Sequence, residues 1–141
     1  CASREYLDLH GVPSHPNELS RHNCPIFYND MATDTWAFRD DENEFTVSVE
    51  GDLRSNQGAA LRLAAMRGMG IARLPNYLVH DDFENGRLVE ILLEYRSPPR
   101  AVHVMYPQRR LMPAKVRSFI DFLADRFERG NGFSTDELAK N

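Results

Sequence analysis

The fold class of this 141-residue chain is decided by residues 56–78, which read NQGAALRLAAMRGMGIARLPNYL. Residues 59–67 are apolar except for Arg62 and Arg67, which predicts a compact helix that Gly68 ends. Because its apolar residues surround nearly the whole circumference, we expect this helix to be buried on more than one side. Residues 70–74 predict a short strand and residues 76–79 the start of another helix, an alternation typical of α/β proteins.

Toward the N-terminus, the pattern predicts two short helices followed by strands. Ser3 is positioned to cap a first turn that Gly11 and Pro13 end, and residues 14–19 combine a cap, a proline and a short helix. Apolar or alternating runs predict strands at residues 24–28, 35–39 and 45–49, with an acidic turn between the last two. Since the three runs are close in sequence, we expect them to pair antiparallel.

Toward the C-terminus, Asn85-Gly86 predicts a turn, residues 88–93 a strand, residues 97–99 a linker and residues 101–106 another strand. Pro113 opens a long helix with apolar residues at helical spacing, namely Val116, Phe119, Ile120, Leu123 and Phe127. One strand and one amphipathic helix cannot bury each other's apolar faces. This last unit therefore needs more sheet, from sequence outside the chain or from another chain.

Composition excludes several classes of protein. Apolar residues make up 42% and charged residues 27%, which argues against a disordered chain, a collagen-like repeat or a disulfide scaffold. No apolar run approaches the ~20 residues that cross a bilayer, and no signal peptide is visible. The 17 basic and 21 acidic residues leave a net charge of −4, so we do not expect the chain to bind DNA by itself.

The two cysteines and the first residue bear on the origin of the chain. Cys1 and Cys24 lack metal-ligand spacing, and a reduced, cytoplasmic protein is the simplest interpretation. A start at cysteine rather than methionine suggests a piece of a longer polypeptide.

No catalytic constellation is visible, so we expect no enzyme, no metal and no cofactor. The five histidines lack the spacing of a zinc site, and Cys24 has no base or orienting group near it in sequence. The glycines at 68 and 70 follow a helix, whereas phosphate-binding loops precede one. The acidic residues at 40–42 and 81–82 are expected in solvated turns.

Several motifs, taken in order, resemble the C-terminal regulatory domain of LysR-type transcriptional regulators. The two most informative are NQGAALR at 56–62 and MGIARLP at 69–75. The others are CASREYL at 1–7, GVP at 11–13, HPNEL at 15–19, WAF at 36–38, VEGDL at 49–53, GRLV at 86–89, YP at 106–107 and KVRSFIDFL at 115–123. The resemblance covers about residues 1–127.

The resemblance implies an α/β fold like that of type 2 periplasmic binding proteins, with two subdomains and an effector cleft between them. Residues 1–96 would form regulatory subdomain II, and residues 97–128 the returning strand and helix of regulatory subdomain I. Residues 129–141 are expected to be a flexible tail. The family's winged helix-turn-helix, its route to DNA, has no counterpart in this chain.

The resemblance also implies a function and an assembly. We expect an effector-sensing fragment of a transcription regulator; the alternatives are a solute-binding protein of transport with the same fold, and an enzyme whose site the sequence hides. In the family, the helix at 59–67 packs against a second chain, which implies at least a dimer. Burial of that helix within its own subdomain is the competing interpretation.

The effector is expected where strands end and helices begin, because helix N-termini there offer N–H groups to anions. Arg73 adds a cation that could orient a carboxylate. The alternatives are that Asn56 is only a cap, Tyr77 only packing and Arg73 a surface charge. The residues predicted to contact a small, anionic organic effector are Asn56, Gln57, Gly58, Pro75, Asn76, Tyr77, Tyr28, Asn29 and Arg73.

Overall fold

The computed structural model describes residues 1–28, 34–41, 43–96, 103, 105 and 113–129. The chain divides into two compact units, Cys1–Pro98 and Pro99–Asn141. The described elements are α1 (Arg4–His10), a 3-10 helix (Pro16–Arg21), β1 (Ile26–Phe27), β2 (Thr35–Arg39), β3 (Glu44–Ser48), β4 (Arg54–Ser55), α2 (Gly58–Met66), α3 (Asn76–Glu84), a 3-10 turn (Leu93–Tyr95) and α4 (Ala114–Arg129).

The predicted caps at the N-terminus are confirmed. The Ser3 hydroxyl accepts a hydrogen bond from the Tyr6 N–H at 3.2 Å and starts α1. Gly11 ends α1 with a positive φ of 85°, a conformation that costs a glycine little. In the following 3-10 helix the cap is His15, whose Nδ1 accepts from the Asn17 N–H.

The strand pairing is partly as expected. β2 and β3 form the predicted antiparallel hairpin, with Trp36 opposite Val47. The expectation that the run at 24–28 joins this hairpin is wrong, because β1 pairs in parallel with β4. The Cys24 N–H donates to the carbonyl of Glu50 at 2.9 Å. The bare Cα of Gly51 allows this approach, since a Cβ there would lie 2.0 Å from the Cys24 carbonyl oxygen.

Two other predicted strands are wrong. Residues 70–74 form no strand, because the Ile71 N–H bonds to Asn23 and the Ala72 N–H to Cys1, two different segments that cannot make one ladder. In residues 88–93 pairing stops after one bridge, between Ala2 and Val89. Leu92 adopts the left-handed backbone conformation, with a φ of 57°, and the 3-10 turn begins directly after it.

Two apolar clusters fill the first unit. The larger one joins α1, the hairpin and the 3-10 helix around Leu19, Trp36 and Val49. The smaller one lies between α2 and α3 and consists of Ala65, Ala72, Val79 and Leu88. None of the described helices is long and apolar enough to cross a bilayer.

The second unit contains the predicted long helix. α4 begins at Ala114, directly after Pro113, as the sequence predicts. Phe119, which belongs to the predicted apolar stripe, is 59% exposed, and Phe122, outside the stripe, is also exposed. Arg129, the first residue of the predicted tail at 129–141, is the last residue of α4. The rest of that tail, the predicted linker at 97–99 and, apart from His103 and Met105, the predicted strand at 101–106 lie outside the described residues. The predicted subdomain boundary at 96–97 stays a prediction.

Candidate functional site

The first part of the candidate site lies at the carboxyl ends of β1 and β4. These strands run parallel, and the Tyr28 N–H donates to the carbonyl of Ser55 at 2.9 Å. Tyr28 is therefore next to the segment of Asn56 and Gln57 that leads into α2. All three side chains are exposed.

The segment before α2 differs from a simple cap. Gln57, not Asn56, is the N-cap residue, and its side chain makes no capping hydrogen bond. The Ser55 hydroxyl instead accepts the Gln57 N–H at 3.1 Å. The interpretation of Asn56 as only a cap is therefore wrong.

The second part of the site is the start of α3. Pro75 precedes this helix, Asn76 is its first residue, and Tyr77 is 67% exposed, so it is not a packing residue. Gly58 brings the two helix starts together, since a Cβ on it would lie 2.7 Å from Leu78 Cδ1. The structure thus places Tyr28 beside the segment that leads into α2, and the start of α3 beside Gly58.

The two remaining predicted residues are Arg73 and Asn29. Arg73 is half-buried and already has an interaction partner, so it is not a free surface cation. Asn29 lies outside the described residues.

An ion cluster that the sequence analysis does not anticipate joins α2 to α3. The prediction of a solvated turn for Asp82 is wrong: this residue lies in α3 and is 0% exposed. Arg62 Nε donates to Asp82 Oδ2, and Arg62 Nη2 donates to Oδ1 at 2.7 Å. Arg87 Nε donates to the same Oδ1 at 2.7 Å. These contacts, the Arg62 hydrogen bonds foremost, hold the pKa of Asp82 below its usual range.

A signal for this cluster is present in the sequence. Asp82 follows Leu78 by four residues and Val79 by three, which places it on the apolar face of its own helix. Arg62 likewise interrupts an otherwise apolar helix. A charge on each of two buried faces predicts a pair, since an unpaired charge is costly to bury.

The apolar helix is buried on one side only. In α2 the buried residues are Leu61, Ala64 and Ala65. Leu63 is 54% exposed and Ala59 is exposed. Burial on more than one side within its own subdomain is therefore wrong: Ala59 and Leu63 form an apolar strip on the far side of α2 that is open to solvent and ends at the exposed Arg67.

A groove elsewhere in the first unit contains none of the predicted site residues. Its volume is about 370 Å³, and it is lined by residues 12–14 and 89–95. Its walls are mostly aliphatic, with Glu90 and Glu94 among them.

Cys24, which the sequence offers as a possible nucleophile, is fully buried. Burial raises the pKa of the Cys24 thiol to about 12, so that sulfur is a poor nucleophile. No group of three or more His, Cys, Asp or Glu side chains suited to a metal ion occurs among the described residues. Asp40 lies in the predicted turn, where its carboxylate accepts the Asn43 N–H at 2.7 Å.

Comparisons with known proteins identify the family. The LysR substrate binding domain model matches residues 1–128. An uncharacterised HTH-type transcriptional regulator of Haemophilus influenzae is 37% identical over 116 residues, 82% of this chain and 40% of that protein. The HTH-type transcriptional regulator DmlR of Escherichia coli is 34% identical over 128 residues, 90% of this chain and 41% of that protein. The chain thus spans about two-fifths of the length of these relatives.

Two solved structures of regulators are also similar to this chain. The full-length virulence activator AphB of Vibrio cholerae is 30% identical with a TM-score of 0.74, covering 86% of this chain and 42% of that one. The CrgA regulatory domain of Neisseria meningitidis is 29% identical with a TM-score of 0.70, covering 89% of this chain and 61% of that one. The predicted α/β fold of the periplasmic-binding-protein type is confirmed. The chain belongs to the LysR substrate binding domain family, the effector-binding domain of LysR-type transcriptional regulators.

Proposed function

We propose that this chain senses a small, anionic organic effector in the cleft between the two subdomains of the family's domain. The contacts come from Tyr28, Asn29, the segments 56–58 and 75–77, and Arg73. The observation that carries the proposal is the adjacency of two helix N-termini, brought together where Gly58 meets Leu78.

Both N-termini suit an anion. α2 and α3 have no side-chain cap and no acidic residue in the first turn. Their first N–H groups therefore have no side-chain acceptor, and the positive end of each helix dipole is uncompensated. A carboxylate or a similar anion bound there would satisfy these groups, while Asn76 and Tyr77 supply side-chain contacts.

We further propose that the chain acts as part of a bacterial regulator that binds DNA through a winged helix-turn-helix outside these residues. The relatives are HTH-type regulators and are longer than this chain. The net charge of −4 fits a domain that leaves DNA to another part of the protein. Such a protein works in the cytoplasm. The relatives do not favour a transport protein or an enzyme.

The exposed apolar face of α2 supports assembly into at least a dimer. Leu63 and Ala59 are one helical turn apart on this face and are solvent-exposed in the single chain. Exposed apolar side chains on one strip of a helix are typical of a surface that contacts another protein. We propose that a second copy of the protein covers it.

The substitution Asn76→Ala tests the effector site in the full-length protein. The inducing compound is first identified with a reporter gene and a panel of small carboxylic acids. Loss of one hydrogen bond to a charged group costs about 1.5–3 kcal/mol, so the half-maximal effector concentration should rise roughly tenfold or more. DNA affinity without effector should stay nearly unchanged.

Asn85→Ala is the matched control, because Asn85 lies at the opposite end of the same helix. It should respond at the wild-type concentration. If Asn76→Ala does so too, the start of α3 is not part of the effector site.

A further inference from the structure

Two contacts between α2 and α3 have the same spacing along both helices. Gly58 lies against Leu78, and Arg62 pairs with Asp82. Each second contact follows the first by four residues on both helices, which is about one helical turn. α2 and α3 therefore run side by side in the same direction, with their N-termini at the same end.

We propose that Asp82 is a positioning residue that fixes the register of α3 along α2 and thereby the spacing of the two helix N-termini. Its importance for effector recognition rests on the proposed function. The geometric role itself is independent of any effector.

The apolar contacts between these helices constrain their register less than a directional contact does. Val79 and Ala65 belong to one cluster of small and aliphatic side chains, and contacts of this kind are non-directional. A slip along the helix axis would exchange one apolar neighbour for another at small cost.

The Asp82 cluster is directional. The planar guanidinium of Arg62 donates to both carboxylate oxygens of Asp82, and this bidentate contact has one favourable alignment. Hydrophobic residues of similar volume often stabilise a protein as well as a buried ion pair does, so a register role explains the charges better than stability does.

Arg87 is the second arginine that binds Asp82. Arg87 Nε donates to Oδ1, and the Arg87 and Leu88 N–H groups donate to the Asp82 carbonyl at 2.8 and 3.2 Å. The turn after α3 is thus attached to the same residue. Because Arg87 is attached to Asp82 through this turn, an axial shift of α3 along α2 would break the contacts of Arg62 and leave those of Arg87 in place.

The spacing of the helix starts is measurable without any effector. A spin-labelled unnatural amino acid is introduced at Gln57 and at Tyr77 of the full-length protein, diluted with unlabelled protein, and the distance distribution is recorded by pulsed EPR. The wild-type background should give one narrow peak. Asp82→Asn should shift or broaden it by about one helical turn, ~5 Å.

Two controls separate positioning from stability. Val79→Ala removes a side chain that is 2% exposed in the same helix, so it destabilises the protein but keeps the ion cluster. It should leave the distance unchanged. Asp34→Asn removes an exposed ion pair with Arg54, and it should also leave the distance between the labels unchanged.

Arg62→Lys is the second variant, for use if Asp82→Asn does not fold. Lysine keeps the positive charge but cannot make the bidentate contact with Asp82. This variant should therefore broaden the distance distribution with a smaller loss of stability. An unchanged distance in both variants, or equal broadening in Val79→Ala, would overturn the proposal. Since no effector is present, failure here is distinguishable from failure of the Asn76→Ala test.

Discussion

Asp82 is completely shielded from solvent, whereas Arg62, which holds both of its carboxylate oxygens, keeps 31% of its side chain exposed. The pair therefore combines a fully buried acid with a base that still contacts water. Hydration of the guanidinium lowers the desolvation cost of the pair, while the carboxylate depends entirely on its two arginines.

Asp82→Asn should destabilise the protein in a pH-dependent way. Removing one partner of a buried pair costs about 3–5 kcal/mol. Because both arginines are partly exposed, we expect a loss at the low end of this range, about 3 kcal/mol at pH 7. Because the folded pKa of Asp82 is lowered, its contribution is present above the unfolded pKa of about 3.9 and is lost as the pH falls through the folded value.

Urea unfolding between pH 3 and pH 7 measures this effect. The stability difference between the wild type and Asp82→Asn should shrink on acidification. A difference that stays constant down to pH 3 would contradict the assignment of a charged, paired Asp82.

Leu63→Asp should weaken self-association of the full-length protein. The side chain is on the exposed apolar face of α2, where a charge would be buried without a partner on assembly. Sedimentation across concentrations should show a shift toward monomer. Leu9→Asp, on the exposed side of α1 where Leu9 is 76% exposed, should leave assembly unchanged. Equal behaviour of the two variants would count against the α2 interface.

Gly51→Ala should be far more damaging than Gly86→Ala. At Gly86 the φ of 66° is the only obstacle, because nothing lies within 4 Å of an added Cβ. This strain costs about 1–2 kcal/mol. At Gly51 the Cβ would meet the Cys24 carbonyl at 2.0 Å, so the backbone beside β1 must move. Thermal unfolding of both variants compares them, and similar melting temperatures would refute the close approach.

Phe119→Ala should cost little in this chain. With 59% of Phe119 exposed, the expected loss is about 1 kcal/mol or less. In the full-length protein we expect the α4 stripe to be covered, and a buried phenylalanine there costs about 3–5 kcal/mol. Chemical denaturation of both forms provides the measurement. An equally large loss in the short chain would show that α4 is already fully packed.

Local signals along the chain are sufficient to predict the helices and the family. The cap at Ser3, the proline before α4 and the apolar run of α2 act over one or two turns, so they can be recognised without knowing what lies nearby. The β2–β3 hairpin is also local, since a short acidic turn joins its strands. The predicted site segments rest on similar signals, the ends of strands and the starts of helices.

Only the tertiary structure decided which distant residues meet. β1 pairs with β4 rather than with the hairpin, and bare Gly51 permits the close approach of the chain to Cys24 beside this pair. Residues 70–74 form no strand because their two partners lie on separate segments. The ion pair of Asp82 with Arg62 joins residues 20 positions apart. A charge in an apolar pattern indicates that a partner is needed, but which residue supplies it depends on the packing of one helix against another.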